Sequence, residues 1–264
     1  MKYSYEQLAK MIDHSLLHPT MTDQELENGC RLAAKYGVAS VCIKPYEVKR
    51  AAELLKGTGV LVGAVIGFPH GNSTTEAKRY ETELACRDGA AEIDMVINIG
   101  KALSGDWDYV ERDIKAVCDE AHRHGAKVKV IFENDYLTQG GAGLSSDDFK
   151  RRLCQISERA GADWVKTSSG YGFVKQPNGS YNYKGATEHD LALMRASCSP
   201  KVQVKAAGGV RDLDGLIKVR DLGGSRCGAT ATAAMLDEYR RREAAEKAGQ
   251  VAGTCDAQLG KGGY

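Results

Sequence analysis

Short apolar segments alternate along the chain with longer segments of helical periodicity. Each apolar segment is almost continuously hydrophobic and is bounded by glycine or polar residues, as expected of a strand buried on both faces of a parallel sheet. Eight segments are candidate strands: IDHSLL, SVCIKP, VLVGAVIGF, EIDMVIN, KVKVIFE, DWVKTSSG, VQVKAAGG and SRCGAT. The pattern therefore predicts a series of strand–helix units.

The intervening segments carry signals that begin and end helices. Thr22, Ser73 and Thr187 each stand three positions before an acidic residue, which is the spacing of a capping box. Four glycines follow helical segments and are predicted to end them in the left-handed conformation: Gly37, Gly89, Gly125 and Gly161. These signals place helices between the candidate strands.

Strands that alternate with helices are typical of right-handed βαβ units. Eight units in a chain of 264 residues favour a closed (β/α)8 TIM barrel with a short N-terminal helix. An open doubly wound sheet is the alternative, but its GxGxxG fingerprint is absent after the first strand. We predict a single α/β barrel over residues 1–248 and a flexible Gly- and Ala-rich tail over residues 249–264.

The composition limits which binding partners and which cellular compartment we expect. Hydrophobic residues make up 42% of the chain, and 36 basic side chains are mixed with 35 acidic ones, so we expect no nucleic-acid or membrane partner. The start of the chain has no apolar signal segment, and VLVGAVIGF is shorter than the roughly 20 residues of a membrane span. Eight cysteines occur without a CxxC pair, which indicates reduced thiols in a cytoplasmic protein.

Polar side chains occur where the predicted strands end. In a TIM barrel these carboxyl ends together form the active site. The candidates are Asp13, Ser15, Cys42, Lys44, Asp94, Asn98, Glu133, Asn134, Lys166, Thr167 and Lys205. Structural ion pairs would explain lysines at such positions. However, Lys166 and Lys205 both end an apolar strand, so we expect them to converge on one cavity.

Two converging lysines suggest amine chemistry. The pKa of an ordinary lysine is about 10.4, and burial or a second nearby cation lowers it. A neutral amine can attack a carbonyl and form a Schiff base, which accepts electrons when a neighbouring carbon–carbon bond breaks. Asp94 is the carboxylate available to transfer protons. These residue types predict an aldolase that uses neither a metal nor a cofactor.

The order and spacing of eight motifs closely resemble those of the deoxyribose-phosphate aldolase family. The motifs are IDHSLL, VCIKP, VIGFPHGNSTTEAK, AAEIDMVINIG, KVIFE, VKTSSGYG, VKAAGGVR and RCGAT, and they extend over most of the chain. The resemblance implies a (β/α)8 barrel that reversibly cleaves 2-deoxy-D-ribose 5-phosphate to acetaldehyde and D-glyceraldehyde 3-phosphate, in deoxyribonucleotide catabolism. It also implies that Lys166 forms the Schiff base, that Lys205 perturbs Lys166 and transfers protons, and that Asp94 relays protons.

Three loops of small residues follow the late strands and offer backbone N–H groups to a phosphate. The predicted substrate-binding residues are Asp13, Cys42, Ser169, Gly170, Gly208, Gly209, Gly228 and Thr230, with Cys42 expected near the small aldehyde. The chain departs from part of the family at Tyr171, where some members have lysine, and at Thr230 and Ala231, which replace two serines. These departures affect side-chain contacts to the phosphate, not the backbone contacts.

Four further features carry expectations of their own. Segment 173–184 is an insertion that we predict to form a hairpin flap with NG as its turn. Glu133 is expected to pair with a lysine in the barrel mouth. His14 and His18 lack a third ligand at metal-site spacing, so we expect no metal there. For Tyr264 we hypothesise a fold over the mouth that assists a proton transfer, with an unstructured end as the alternative.

Three other functions are compatible with these residues. One is a barrel isomerase of sugar phosphates, which needs a base but no amine. Another is a noncatalytic phosphosugar-binding protein, and the third is an aldolase for a different phosphorylated sugar. The expected partners are a small sugar phosphate, aldehydes and a second copy of the chain in a homodimer.

Overall fold

The computed structural model of the protein describes residues 1–249 and 259–260. Ten strands occur in these residues: β1 (Ile12–Leu16), β2 (Ser40–Ile43), β3 (Leu61–Ile66), β4 (Glu92–Val96), β5 (Lys127–Ile131), β6 (Trp164–Lys166), β7 (Val174–Lys175), β8 (Tyr181–Asn182), β9 (Gln203–Ala207) and β10 (Gly224–Ala229). β7 and β8 form a separate hairpin, and the other strands form one sheet.

The large sheet is a closed parallel barrel. Neighbouring strands follow the chain order from β1 to β6 and continue through β9 and β10, and β10 pairs with β1. In this closing pair Ile12 lies opposite Cys227, and Asp13 lies opposite Gly228. The predicted (β/α)8 barrel is therefore confirmed. The open doubly wound sheet is excluded, because an open sheet has no closing pair.

Helices cover the outside of the barrel. The described residues contain α1 (Tyr5–Ala9), α2 (Asp23–Tyr36), α3 (Val48–Leu55), α4 (Thr75–Arg87), α5 (Ile99–Leu103), α6 (Trp107–Arg123), α7 (Ser146–Arg159), α8 (Glu188–Ser197), α9 (Leu213–Asp221) and α10 (Thr232–Lys247). Short 3₁₀ turns, Pro45–Glu47 and Asn134–Leu137, follow β2 and β5. The short helix α1 precedes the first strand, as predicted.

Local sequence signals set the helix ends. Thr22 and Glu25 form the predicted capping box, because each side chain accepts a hydrogen bond from the other residue's backbone N–H. The box predicted at Ser73 is wrong. Thr74 caps α4 instead, because its backbone is extended and its hydroxyl lies one residue nearer the helix. Gly37 ends α2 with a φ of +64°, the left-handed conformation predicted for it.

The two faces of the barrel strands differ in chemistry. In β4, Ile93 and Met95 belong to the apolar layer between the strands and the helices, whereas Glu92 and Asp94 point into the barrel. In β5 the same alternation places Lys129 inside the barrel. Because the outer layer supplies the hydrophobic core, the interior can carry charged groups.

The insertion between β6 and α8 forms the predicted hairpin. β7 and β8 are antiparallel, with Val174 opposite Asn182. Gly179 lies in the connecting turn with a φ of +83°, a conformation that glycine adopts without steric cost. The hairpin extends from the end of the barrel that carries the loops after the strands.

The predicted tail, residues 249–264, lies almost entirely outside the described residues, and so does the hypothesis on Tyr264. Leu259 is partly buried and packs against the hydrophobic core near Gly215. The boundary at residue 248 stays a prediction. Over the part of the chain that the structure describes, no helix is both long enough and apolar enough to cross a membrane.

A buried ion pair joins two outer helices and generates a stability prediction. Lys78 of α4 donates to the Asp113 carboxylate of α6 at 2.5 Å and to the Val96 carbonyl at 2.9 Å, and both side chains of the pair are 0% exposed. Lys78→Met should lower the free energy of unfolding by about 3–5 kcal/mol, because the Asp113 carboxylate stays buried without its partner. Urea unfolding measures this loss.

An exposed pair provides the matched control. Lys101 pairs with Asp106 at the surface, so Lys101→Met should change the free energy of unfolding by less than about 1 kcal/mol. The double variant Lys78→Met/Asp113→Leu should recover most of the loss, because both charges are removed. Wild-type stability in the single Lys78→Met variant would contradict this account of the buried pair.

Candidate active site

Three lysines converge on one carboxylate inside the barrel. The Oδ2 atom of Asp94 accepts from the Nζ atoms of Lys166 and Lys205, each at 2.7 Å, and its Oδ1 atom accepts from the Nζ atom of Lys129 at 3.0 Å. None of these four side chains is more than 3% exposed. Asp94 is therefore the anion that the three ammonium groups share.

Strand register brings these side chains together. Lys166 of β6 lies opposite Lys205 of β9, and Asp94 of β4 lies opposite Lys129 of β5. Residues that lie opposite each other in neighbouring strands point to the same face of the sheet. The two lysines expected to share a site are thus adjacent, and Asp94 lies within hydrogen-bond distance of both.

Three further charged residues, Asp13 of β1, Glu92 of β4 and Arg226 of β10, complete the charged network. Asp13 binds Lys205 at 2.6 Å and Arg226 at 2.5 Å. Glu92 binds Lys129 at 2.5 Å and Arg226 at 2.7 Å. The network joins four basic side chains to three carboxylates, so full ionisation leaves one positive charge in excess. Because an uncompensated buried charge is costly, the network favours the loss of one proton.

Lys166 is the amine that loses this proton most readily. Burial lowers the pKa of Lys166, and together with the positive charge of Lys205 it outweighs the opposing attraction of Asp94. Burial also disfavours the charged form of Lys205, but Asp13 and Asp94 raise the pKa of Lys205 well above its ordinary value. The carboxylates therefore keep Lys205 protonated, and its charge makes Lys166 easier to deprotonate.

A cavity of about 220 Å³ adjoins this network at the carboxyl end of the barrel. Lys166 lines the cavity, whereas Lys129, Lys205 and Asp94 do not reach its wall. Six of the predicted substrate-binding residues also line it: Ser169, Gly170, Gly208, Gly209, Gly228 and Thr230. The three predicted phosphate loops and the amine of Lys166 thus face the same space.

Asp13 and Cys42, the other two predicted substrate-binding residues, lie in the charged layer and not in the wall of this cavity. Asp13 is fully buried and is bound by Lys205 and Arg226. The Sγ atom of Cys42 lies 3.8 Å from the Oδ2 atom of Asp94. Burial, together with the negative charge of Asp94, raises the pKa of this thiol to about 11. Cys42 is therefore a neutral thiol beside the network.

Glu133 does not pair with a lysine, so the expectation for it is wrong. Both of its carboxylate oxygens accept from the backbone N–H of Ser169, with N to O distances of 3.2 Å. Lys166 is already bound by Asp94. Gly172 leaves space for the Glu133 carboxylate, since a Cβ there would lie 2.5 Å from the Glu133 Cδ atom. Burial raises the pKa of Glu133 to about 7.

The residues of the site that sequence reasoning missed include Lys129, Glu92 and Arg226 of the network and Arg211 of the cavity wall. Lys129 carried a signal, because KVKVI alternates charged and apolar residues as a two-faced strand does. Arg211 follows the GGV of a predicted phosphate loop and lines the cavity. Arg226 carried no comparable signal, since a single arginine in a glycine-containing strand is compatible with either face.

The positions at which the chain departs from part of the family lie beside the phosphate loops. Tyr171 lines the cavity, and its ring packs edge-on against Phe68 with centroids 5.5 Å apart. Ala231 is the N-cap residue of α10 and provides no side-chain hydrogen bond. Near these positions the cavity is lined by the loops of small residues and by Arg211.

The two histidines considered as metal ligands have separate partners. The Nδ1 atom of the buried His14 lies 2.9 Å from the Oγ1 atom of Thr232, and burial lowers the pKa of His14 to about 4. His18 lines the cavity and contacts Thr20. Among the described residues, no three His, Cys, Asp or Glu side chains form a group that could hold a metal ion.

The fold and the lysine network define an aldolase, a carbon–carbon lyase, built on a (β/α)8 barrel. The chain belongs to the DeoC/LacD family of aldolases, which matches residues 7–257. It is 52% identical over 240 residues to the deoxyribose-phosphate aldolase of Rhodopirellula baltica. This alignment covers 91% of this chain and 92% of that protein. The corresponding enzyme of Clostridium perfringens is 44% identical over 88% of this chain and 95% of its own length.

A solved structure supports the same assignment. The deoxyribose phosphate aldolase of Aeropyrum pernix, which is described as a tetramer, superposes with a TM-score of 0.76 at 30% identity. The superposition covers 90% of this chain and 92% of that chain. The family resemblance inferred from the motifs is therefore confirmed.

Glu133→Gln should change how stability depends on pH. The pKa of Glu133 is raised to about 7 in the folded chain, whereas an unfolded glutamate has a pKa of about 4.3. The folded state therefore binds this proton more tightly. Wild-type protein should lose the corresponding stability as the pH rises from about 5 to about 7, and the uncharged glutamine should remove that loss. Urea unfolding between about pH 5 and pH 8 compares the two proteins.

The control for this comparison is Glu53→Gln, because the Glu53 side chain is 59% exposed. This substitution should leave the pH dependence of stability unchanged. Parallel pH curves for wild type and Glu133→Gln would show that Glu133 does not titrate in this range.

Proposed function

We propose that this aldolase reversibly cleaves 2-deoxy-D-ribose 5-phosphate to acetaldehyde and D-glyceraldehyde 3-phosphate through a Schiff base on Lys166. The relatives from Rhodopirellula baltica and Clostridium perfringens are named for this substrate. The observation that carries the proposal is the position of Lys166. Within the charged network it is the lysine that lines the cavity, on whose wall the loops of small residues also lie.

The reaction begins with the neutral Nζ atom of Lys166. This atom attacks the aldehyde carbon C1 of the open-chain sugar, Nζ loses a proton, and the oxygen gains one to give a carbinolamine. A further proton lets the hydroxyl leave as water, and an iminium forms between Nζ and C1. Asp94 lies 2.7 Å from the Nζ atoms of both Lys166 and Lys205. It is placed to carry protons between the reacting nitrogen and Lys205.

The iminium then accepts the electron pair of the breaking bond. A base removes the proton of the C3 hydroxyl, the C2–C3 bond breaks, and C3 becomes the aldehyde carbon of glyceraldehyde 3-phosphate. The electron pair moves toward Nζ and leaves an enamine on Lys166. Protonation at C2 and addition of water at C1 release acetaldehyde and restore the amine. The Asp94 carboxylate stabilises the positive iminium in this water-poor site.

The phosphate of the substrate binds at the loops that follow β6, β9 and β10. Gly170, Gly208 and Thr230 are members of these loops and line the cavity, and the small or absent side chains of the loops let backbone N–H groups approach an anion. Arg211 adds a positive charge to the same wall. Lys166 and these loops line the same cavity, so C1 and the phosphate share one continuous space.

The tests separate the proposed reaction from the three other functions that the sequence left open. A barrel isomerase of sugar phosphates and a noncatalytic phosphosugar-binding protein both lack an essential amine. An aldolase for another phosphorylated sugar has the amine but a different preference. Cleavage assays with deoxyribose 5-phosphate, ribose 5-phosphate and ketose phosphates separate this last alternative from the proposed reaction.

Reductive trapping tests the covalent step. Borohydride added with acetaldehyde should reduce the Schiff base to a stable N-ethyl amine, and peptide mass mapping should place this adduct on Lys166. Lys166→Arg should abolish the adduct, because the guanidinium stays charged at any accessible pH. An adduct on Lys205 would reverse the proposed roles, and the absence of any adduct in an enzyme that cleaves the sugar would exclude the Schiff base.

Asp94→Asn tests the proton transfer separately from the covalent bond. Burial opposes the ionisation of Asp94, but Lys129, Lys166 and Lys205 hold its pKa well below its usual value, so it is an anion at neutral pH. Its neutral substitute should lower turnover by about 10²–10⁴-fold. Trapping at Lys166 should persist, because loss of the carboxylate removes a group that raises the pKa of Lys166.

The surface pair again supplies a control for this variant. Asp106→Asn removes an exposed carboxylate and should leave turnover unchanged. Far-UV circular dichroism before each assay establishes that Asp94→Asn is folded. Wild-type turnover in folded Asp94→Asn would remove Asp94 from the proton transfer.

We further propose that the enzyme is a cytoplasmic homodimer that acts in deoxyribonucleotide catabolism. Tyr80 and Leu84, one turn apart on α4, are 55% and 43% exposed, which supports an apolar contact between copies. The Aeropyrum pernix relative assembles further, as a tetramer. Light scattering on the wild type and on Leu84→Glu tests the dimer, since a charge in an apolar contact should dissociate it.

A further inference from the structure

The hairpin between β6 and α8 is the segment to which neither the family resemblance nor the reaction assigns a role. Its outer part is exposed, and Tyr181 in β8 is 63% exposed. Tyr183, which follows β8 by one residue, is only 7% exposed and lines the cavity that contains Lys166. The hairpin therefore contributes one aromatic ring to the candidate active site.

Hydrogen bonds hold the base of the hairpin in place. The Asp135 carboxylate accepts from the backbone N–H of Lys184 at 2.6 Å and from that of Gly185 at 3.0 Å. The next residue, Ala186, donates its N–H to the Gly208 carbonyl at 3.1 Å. The chain directly after Tyr183 is thus tied both to the loop after β5 and to the predicted phosphate loop after β9.

The hairpin base and the phosphate loop are in backbone contact. A Cβ on Gly185 would lie 2.6 Å from the Gly208 carbonyl carbon, and a Cβ on Gly208 would lie 2.9 Å from the Gly185 Cα atom. The same Cβ on Gly208 would lie 3.3 Å from the Cε2 atom of Tyr183. Side chains at either glycine would separate the two segments. With glycine at both positions, the Tyr183 ring lies directly against the phosphate loop.

Aromatic packing fixes the orientation of this ring. The rings of Tyr183 and Phe173 pack edge-on, with centroids 5.6 Å apart. Phe173 is held in turn, since its carbonyl accepts from the hydroxyl of Tyr136 at 3.2 Å. The ring of Tyr183 is therefore positioned from both ends of the hairpin.

From this geometry we propose that Tyr183 is a specificity-determining residue that covers the phosphate end of the substrate and favours phosphorylated over unphosphorylated aldoses. This inference rests on the proposed function. Bonds from backbone N–H groups to an anion strengthen when water is excluded from them. A ring over the Gly208 loop excludes water there. An unphosphorylated sugar gains little from this cover, because it carries no charge at that end.

Tyr183→Ala should reduce the preference for the phosphorylated substrate. The ratio of kcat/KM for 2-deoxyribose 5-phosphate to kcat/KM for 2-deoxyribose should fall about tenfold, mainly through a higher KM for the phosphorylated sugar. Tyr181→Ala is the matched control, because it removes the same side chain from the exposed part of the same hairpin. It should keep the wild-type ratio.

An unchanged ratio in folded Tyr183→Ala would overturn the proposal. This includes the case in which kcat/KM falls equally for both sugars and borohydride trapping with acetaldehyde is slower, which would show general damage to the barrel. Tyr183→Phe keeps the ring, so it should keep most of the preference. If Tyr183→Phe lost as much of the preference for the phosphorylated sugar as Tyr183→Ala, the result would contradict a role for the ring.

Binding of inorganic phosphate separates this inference from the proposed reaction. Titration calorimetry should show weaker phosphate binding to Tyr183→Ala than to wild type and Tyr181→Ala. If the wild type does not cleave 2-deoxyribose 5-phosphate, the proposed function fails, while this measurement still decides the role of Tyr183. Equal phosphate affinity in the three proteins would refute the cover over the phosphate loop.

Discussion

The carboxylate of Asp94 holds the amino groups of three lysines together in the buried interior of the barrel. Each of these charges would be strongly destabilising if it were buried without a partner. Their pairing requires the register of the central strands, because a slip by one residue would turn Lys166 or Lys205 toward the apolar outer layer. The strand register that closes the barrel is therefore also required for the chemistry of the site.

The barrel separates the source of stability from the source of reactivity. Outward residues such as Ile93 and Val130 form the core with the helices, and inward residues on the same strands carry charge. Within the interior, the neighbouring charges and the contact with the cavity determine which lysine is reactive. Lys205 is held protonated by two carboxylates, whereas Lys166 meets the cavity and is the lysine that most readily loses a proton, because the network has one positive charge in excess. The difference arises from their neighbours, since both are buried lysines that point into the barrel.

The loop after β5 organises the mouth of the barrel through two carboxylates. Glu133 binds the backbone N–H of Ser169 in the loop after β6, and Asp135 binds the backbone N–H groups of Lys184 and Gly185 at the base of the hairpin. Such bonds fix the backbone of a loop, so the direction of its N–H groups does not depend on the side chains that the loop carries.

Local patterns were sufficient to predict the barrel, the hairpin and the capping box at Thr22. They also predicted that Lys166 and Lys205 lie at one site. Alternation, caps and turn residues act over a few residues, so the amino-acid order alone determines them. The partner of Glu133 and the ion pairs of Lys129 and Arg226 were decided only by the tertiary structure. These contacts depend on which strands become neighbours and on the total charge of the side chains enclosed in the barrel. Both are established only when the barrel closes.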